Sequence, residues 1–331
     1  MLENLISVAT QVGILFAIIA VGATLRRAKV LNDAVVKGFV DVLVLAVTPC
    51  LIVVAFQRDF SFSMLLSLGW ATLISFAAHL IGIAFASAAV RHPAHGTRSV
   101  LRVAAVFSNA GFMGIPLEQA LFGDEGVFYG IVYVGVFNVV MWSWGICTMR
   151  GGDMRKLSGA ELKAMFVNPG TVGLLIGLPL FFMSVRLPTV VLECARSVAS
   201  LNTPLAMLVI GYYLAGARLG KVLKTPAAYL AGGFRLVAFP LVLTGVMVAL
   251  RKFVALDSVM LLSLAVSASA PVAALTSIFA AKYGGDVDMS VGMVGGTTLL
   301  SILTMPPIIA FAMQLLLEFH DFLRVKLNNP L

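Results

Sequence analysis

The segment that decides the fold is Ser108-Asn109-Ala110-Gly111-Phe112-Met113-Gly114-Ile115-Pro116-Leu117, which lies within a long apolar stretch. Pro116 has no N–H group, and its ring clashes with the preceding helical turn. Gly111 and Gly114 lower the cost of non-helical backbone. The segment therefore predicts a membrane helix that is interrupted near Pro116.

A second segment of this kind is Ser267-Ala268-Ser269-Ala270-Pro271, with serines in place of the glycines. A half-helix that begins near Pro116 or Pro271 would present unpaired N–H groups and a positive dipole end, which favour an anionic group such as a carboxylate. Two interrupted helices in corresponding positions of inverted halves point to a transporter binding site. The alternative is a pair of proline kinks that serve packing alone.

The composition around these segments indicates a membrane protein. Of the 331 residues 60% are hydrophobic and 11% charged, and the mean hydropathy is +1.02. Soluble domains are about 45–50% apolar and about 25% charged, so a soluble enzyme, a disordered chain and a disulfide scaffold are excluded. The apolar runs are long and continuous, which predicts helices and not a barrel. The three cysteines have unrelated spacings, typical of packed free thiols.

The apolar runs predict an all-α polytopic membrane protein with ten transmembrane helices, arranged as two inverted five-helix repeats with broken, crossing helices 4 and 9. The spans are predicted at residues 5–25, 35–56, 63–90, 99–122, 126–149, 168–186, 196–217, 226–250, 258–282 and 291–317. The first repeat is residues 1–149 and the second 168–318, with a connecting loop at 150–167 and a tail at 319–331. Thr48-Pro49 and Thr203-Pro204 occupy corresponding spans of the two halves.

The basic residues predict the orientation of these spans. Lys and Arg number 15 in the odd-numbered connections and 7 in the termini and even-numbered connections. By the positive-inside rule, both termini lie outside and the odd connections in the cytoplasm. The basic residues sit in clusters between apolar runs, so the net charge of +8 does not indicate nucleic-acid binding.

A few polar side chains lie within the predicted spans. Asn109 and Asn138 need hydrogen-bond partners there, and each can hold a substrate or bridge helices. Glu118 follows Pro116, where a carboxylate can serve the helix dipole or couple protons. His79 can relay protons or be a neutral packed histidine, and Asp41 is coupling or structural. Arg235 can pair with an anion or extend its charge to the membrane surface.

No enzyme signature is present: the sequence has no HExxH helix, no GxSxG elbow and no P-loop. We therefore expect a protein that is not an enzyme, that binds no metal or cofactor and that does not hydrolyse ATP. His92 and His95 lie in a basic loop and are expected to be solvated.

The segment from Asn109 to Pro116 resembles the N-x-x-x-M-G-I-P signature of the auxin efflux carrier family, which includes plant auxin transporters and bacterial malate and malonate carriers. Asn168-Pro169 resembles the opening of that family's sixth helix. Ala270-Pro271, with Phe279-Ala280-Ala281-Lys282-Tyr283 beyond it, resembles its broken ninth helix. The correspondence covers nearly the whole chain.

The resemblance implies a scaffold domain of helices one, two, six and seven and a transport domain that moves like an elevator, with organic anions bound where helices four and nine cross. It also suggests a homodimer. The short loop after helix five is as in bacterial members. Plant members carry an acidic residue and a lysine in helix three, whereas here that helix has His79 and no carboxylate, so the resemblance assigns no coupling residue in helix three.

From these observations we expect a secondary active transporter of small organic anions in the plasma membrane, the bacterial inner membrane, coupled to protons in preference to sodium. The alternatives are a channel and a membrane receptor that does not transport. The coupling candidates are His79, Asp41 and Glu118. The candidate substrate-binding residues are Asn109, Gly111, Met113, Pro116, Asn138, Ser267, Ser269 and Pro271.

Overall fold

The structure is a computed structural model that describes residues 1–151, 158, 159, 163, 169–217 and 219–328, the last eleven and residue 169 by their backbone alone. Most of the predicted loop 150–167, Asn168 of the N-P motif and the last three residues of the predicted tail 319–331 lie outside the described residues.

Throughout the described part of the chain, the secondary structure is helical, and no β-strand is formed. The helices are α1 (Leu2–Arg27), α2 (Asp33–Ala55), α3 (Phe62–Ala89), α4 (His95–Val106), α5 (Ala110–Met149), α6 (Pro169–Phe182), α7 (Thr189–Ala215), α8 (Gly220–Leu223), α9 (Pro226–Arg251), α10 (Ser258–Ser269), α11 (Leu275–Tyr283) and α12 (Val287–Asn328).

Among the described helices, seven are long and apolar enough to cross a membrane: α1, α2, α3, α5, α7, α9 and α12. Helices α6 and α10 are apolar but shorter. Large apolar side chains such as Leu73, Leu175 and Leu303 are 61%, 71% and 72% exposed on the outside of the bundle. In water this surface would be unfavourable, and in a bilayer it is solvated by lipid. The chain is a multi-pass membrane protein.

Helix α5 is folded back on itself at Gly123, which has φ 64° and ψ −151°. A Cβ atom placed on Gly130 would collide with the Glu118 carboxylate. In a straight helix these residues would lie about 18 Å apart, so the chain reverses between them. We call residues 110–122 the first arm and residues 124–149 the second arm. The reversal needs a positive φ, which glycine adopts at low cost.

Three prolines inside the apolar helices follow π-helical turns. The turns Leu43–Val47, Ala110–Gly114 and Phe234–Ala238 each end two residues before a proline, namely Pro49, Pro116 and Pro240. A π turn shifts hydrogen bonding to the fifth preceding residue and widens the helix where the proline ring would otherwise clash.

The prediction that helix four breaks near Pro116 is therefore wrong in its position. Pro116 lies within helical structure, and the interruption falls at residues 107–109, before the first arm. The second interruption, at residues 270–274, does contain the predicted Pro271.

Helices α1 and α7 pack with their backbones in close approach. A Cβ atom on Gly211 would collide with the carbonyl oxygen of Ile19, and one on Gly22 would lie 2.8 Å from the Cα of Leu208. Small residues allow such contacts between membrane helices. Gly173 of α6 likewise packs on α2, where its Cβ would lie 2.9 Å from the Ile52 side chain. These contacts join α1 to α7 and α2 to α6.

Candidate functional site

The two interrupted segments meet in the interior and pair through their backbones. The Asn109 N–H donates to the Pro271 carbonyl at 2.7 Å, and the Ala273 N–H donates to the Phe107 carbonyl at 3.0 Å. Ser108 and Val272 thus form an isolated antiparallel bridge. We call residues 107–109 and 270–274 the crossing. Extended backbone is possible inside a membrane because each segment satisfies polar groups of the other.

Four helix ends converge on the crossing. Helices α4 and α10 end there with their carbonyl groups, and the first arm and α11 begin there with their N–H groups. Two negative and two positive dipole ends are therefore close to one another in a low-dielectric interior. This arrangement concentrates the partial charges of the backbone at the crossing.

Arg235 covers the two negative ends. Its guanidinium donates to the carbonyl oxygen of Val106 at 2.9 Å and to that of Ala268, at the ends of α4 and α10. The side chain is fully buried and lies over the ring of Phe239, 4.1 Å from its centroid. Arg235 therefore does not extend to the membrane surface as the sequence analysis allowed, because the buried carbonyl groups provide its hydrogen-bond partners.

The positive ends retain unused polar groups. Asn109 precedes the first arm and is 5% exposed, and no hydrogen bond joins its side-chain amide to another described residue. Thr276, in the first turn of α11, is fully buried, and its hydroxyl has no partner in the described structure. Buried polar groups are usually paired, so these two can contact a ligand at the N-terminal ends.

The other predicted binding residues take different positions. Met113 is 1% exposed and packs with apolar residues of α1 and α7, whereas a Cβ atom on Gly111 would face open space. Ser267 donates to Glu118 at 2.7 Å, and Ser269 donates to the carbonyl of Ala265 on its own helix.

Pro271 contributes its carbonyl to the crossing, and Pro116 lies about two turns into the first arm. Asn138 is half-buried on the second arm, next to Phe137, whose ring lies 5.3 Å from that of Phe107. The structure thus brings Asn109 and Pro271 together, while Pro116, Ser267 and Ser269 support the surrounding helices.

The three coupling candidates differ in environment. Asp41 is exposed on α2. His79 is 1% exposed, with Nδ1 2.7 Å from the Ser75 carbonyl oxygen and its ring 5.1 Å from that of Tyr133. Glu118 is fully buried, and it lies in the first turn of the α-helical part of its arm, which the π turn Ala110–Gly114 precedes.

Tyr133 and Thr297 were not identified from the sequence. The Tyr133 hydroxyl lies 3.5 Å from that of Ser108 in the crossing. The Thr297 hydroxyl, on α12, accepts from the Val272 N–H at 3.1 Å and donates to the Met293 carbonyl. Each is a polar residue within an apolar span, which is the signal that would have identified them.

A separate cavity of about 590 Å³ opens at the other end of α4. Most of its lining residues are basic, and they come from the loop before α4 and from α4 itself: Arg91, His92, Pro93, Arg98 and Arg102. Arg98 precedes Phe107 by nine residues, or about 13 Å along a helix. The cavity therefore lies at the end of the bundle and not at the crossing.

Comparison with known proteins relates this sequence to membrane transporters. A family model described as "Membrane transport protein" matches residues 7–309. An "Uncharacterized transporter" of Methanothermobacter thermautotrophicus is 28% identical over 209 residues, covering 62% of this chain and 65% of that protein, slightly less than two thirds of its length. The match of residues 7–309 confirms the resemblance that the sequence showed.

Proposed function

The chain belongs to the membrane transport protein family, and from this membership and the geometry of the crossing we propose that it is a secondary active transporter of small organic anions. The substrates are mono- or dicarboxylates or related weak acids. The substrate binds at the crossing, between the N-terminal ends of the first arm and α11.

The pattern of charge at the crossing is the observation that carries this proposal. Arg235 already neutralises the C-terminal ends of α4 and α10, while the N-terminal ends have N–H groups, the Asn109 amide and the Thr276 hydroxyl available. A carboxylate is the complement of such a site, since it accepts several hydrogen bonds and its charge is favoured by helix N-termini.

The order of the helices supports the proposed ten-span architecture. The reversal at Gly123 makes α5 two crossings of the membrane, α4 continues into the first arm, and α10 continues into α11. Counted in this way the described helices provide the ten crossings that we propose, five before and five after the loop at residues 150–167. The interrupted helices are then the fourth of each half, as expected for inverted repeats 1–149 and 168–318.

The close packing of α1 with α7 and of α2 with α6 supports a rigid scaffold. The remaining helices, including the crossing, form a transport domain that moves against it. Alternating access then consists of displacement of the crossing as a unit, an elevator mechanism, in a homodimer within the bacterial plasma membrane with both termini outside. No cofactor is required, and a proton, in preference to sodium, is the coupling ion.

Reconstitution in proteoliposomes tests the proposal. Uptake of labelled malonate, malate and acetate is measured with wild type, Asn109→Ala and Asn109→Asp, and with Gln11→Ala on α1 as the matched amide control. We expect saturable uptake with counterflow, lowered at least tenfold in Asn109→Ala, further lowered in Asn109→Asp, and unchanged in Gln11→Ala. Transport by Asn109→Ala at the wild-type rate would reject the site.

The same experiment separates the alternatives. A channel predicts flux that does not saturate and shows no counterflow. A receptor predicts that an anion raises the melting temperature of the purified protein by mass action while no flux occurs.

A further inference from the structure

We propose that Glu118 is the proton-binding residue of this transporter, and that its protonation accompanies the binding of the substrate anion. The inference deepens the proposed function and rests on it. It is drawn from the position of the carboxyl group between the first arm, the second arm and α10.

The Glu118 carboxyl group is enclosed by protein on every side. Its side chain is fully buried. Oε1 accepts a hydrogen bond from the Ser267 hydroxyl on α10 at 2.7 Å, and Oε2 has no hydrogen-bond partner among the described residues. A carboxylate ordinarily accepts several hydrogen bonds, so one bond leaves the ionised form poorly stabilised.

Small residues make the space that this carboxyl group occupies. A Cβ atom on Gly130 would collide with Oε2, and one on Gly126 would lie 2.8 Å from the Glu118 carbonyl oxygen. A Cβ atom on Gly114 would lie 3.4 Å from the Cα of Ser267, so the first arm also lies close against α10. The three glycines allow the first arm to be held between its two neighbours, with the carboxyl group at the contact.

No cation compensates the charge of Glu118 in the described structure. No ion pair with Lys or Arg is formed, and Arg235 is engaged by the Val106 and Ala268 carbonyls. Gln119, the adjacent amide, donates to Asp124 at 3.1 Å. An isolated buried carboxylate is strongly disfavoured, so the enclosed carboxyl group is neutral and carries a proton.

The titratable groups on the packed helices do not change this conclusion. Apart from the charged residues near helix ends, the second arm carries Tyr129, Tyr133 and Cys147, α3 carries His79, and α2 carries Asp41 and Cys50. Helix α7 carries Cys194 near one end and Tyr212 and Tyr213 near the other, while α1 and α10 carry none. Tyr133 is the group among these that interacts electrostatically with both Glu118 and Arg235. Neutral tyrosine supplies no counter-charge.

A proton suits this position better than a metal ion. Metal ions require several oxygen ligands, and Ser267 supplies the one side-chain oxygen within hydrogen-bond distance of the Glu118 carboxyl group in the described residues. The described chain contains no group of three or more His, Cys, Asp or Glu that could hold a metal ion. A proton needs one carboxylate oxygen.

Coupling follows from the shared helix. Asn109 and Glu118 lie at the start and near the end of the same arm, nine residues or about 13 Å apart. An anion at the N-terminus and an ionised Glu118 would repel each other at low dielectric. Glu118 is ionised only when opening of the arm hydrates its carboxyl group. As the anion binds from that side and the arm closes, the carboxylate takes up one proton and forms the O–H bond. It releases this proton when the arm opens on the other side, so proton and anion travel in the same direction.

The first test needs no substrate. Infrared difference spectra of the protein in phosphatidylcholine vesicles are recorded between two pH values for wild type, Glu118→Gln and the matched control Glu125→Gln. We expect a carboxylic-acid C=O band in wild type and in Glu125→Gln that is lost in Glu118→Gln. If Glu118→Gln does not fold, Ser267→Ala replaces it and shifts the band to higher frequency. A band unaffected by these changes would overturn the proposal.

The second test measures coupling with malonate as the probe in vesicles that enclose a pH-sensitive dye. An inward malonate gradient should acidify the lumen with wild type and with Glu125→Gln. The apparent malonate affinity of both should weaken up to tenfold per pH unit where one proton is taken up per anion. Glu118→Gln should bind malonate without acidification or this pH dependence; acidification by Glu118→Gln would overturn the proposal. Absence of malonate flux in wild type would count against the proposed substrate, while the infrared band still decides the role of Glu118.

Discussion

Two acidic side chains, Asp286 and Glu118, each join a helix that ends at the crossing to another helix, and their surroundings are opposite. At the end of α4 that is remote from the crossing, the Asp286 carboxylate accepts from the Thr97 hydroxyl at 2.6 Å, from Lys221 Nζ at 2.5 Å and from the Met289 N–H at 3.1 Å. Partial burial alone would raise the pKa of Asp286, but the bonds from Lys221, Thr97 and Met289 together hold it below its ordinary value.

At the other side of the crossing, Glu118 joins the first arm to α10 through one hydrogen bond, without a cation. Two carboxyl groups at helix contacts therefore differ in charge state, because their hydrogen-bond donors differ in number and charge. A carboxylate with three hydrogen-bond donors, one of which is a cation, stays ionised and keeps its contacts. A buried carboxyl group with one donor is stable only with its proton, so it can change state when the helices move.

Removal of Arg235 has the largest expected effect, because Arg235 bonds the ends of both α4, which contacts Asp286, and α10, which contacts Glu118. In Arg235→Ala the carbonyl groups of Val106 and Ala268 lose their donor in the interior. We expect destabilisation by about 3 kcal/mol or more, from two unsatisfied buried acceptors at roughly 1–3 kcal/mol each. Thermal unfolding in detergent measures it, with Arg251→Ala, another arginine bonded to carbonyl groups, as the comparison. An unchanged melting temperature would show that these bonds do not hold the helix ends.

The close contact between Gly130 and the Glu118 carboxyl group is tested by Gly130→Ala. The added methyl group collides with the Glu118 carboxyl group, and overpacking typically costs about 1–3 kcal/mol. Gly135→Ala on the same arm, where a Cβ meets no atom within 4 Å, should be close to neutral. Replacing Glu118 by Ala in the Gly130→Ala background should recover part of the loss, a coupling that a double-mutant cycle measures. Additive effects would contradict the contact.

The Asp286 end is tested by pH. Because the pKa of Asp286 is lower in the folded than in the unfolded protein, its stabilisation is present above the unfolded value of about 3.8 and is lost as pH falls through the folded value. We expect Asp286→Asn to destabilise by about 1 kcal/mol at pH 7 and to remove this part of the acid sensitivity. Unfolding of both proteins between pH 7 and pH 3 checks it, and equal acid sensitivity would contradict the assignment.

Pro116→Ala has the smallest expected effect. The π turn at Ala110–Gly114 already redistributes the hydrogen bonds around Pro116, so an alanine there requires little rearrangement. We expect a change in stability below about 1 kcal/mol and an unchanged rate of anion uptake, as for Pro49→Ala after its own π turn. Loss of uptake in Pro116→Ala alone would return the proline to the binding site.

A local sequence pattern predicts the structure correctly where it has one structural outcome. The all-helical membrane fold follows from the apolar runs, and the family follows from the Asn109–Pro116 segment. The interruption around Pro271 also agrees with the structure. The break predicted near Pro116 is misplaced because a proline inside a helix is accommodated either by a break or by a π turn. The position of Arg235 was not predictable because a long side chain can reach the surface or the interior, depending on its neighbours.

The sequence by itself determined the solvent of this protein, because 60% hydrophobic residues in long runs can be solvated only by lipid. It also identified several of the polar residues within the membrane spans, Asn109, His79 and Glu118 among them. The tertiary structure decided how those residues are used. The backbone pairing between residues 107–109 and 270–274, the bond from Arg235 to Val106 and the bond from Ser267 to Glu118 each join residues more than 100 apart in the sequence. Such contacts leave no periodicity in the sequence, since they arise from the meeting of whole helices.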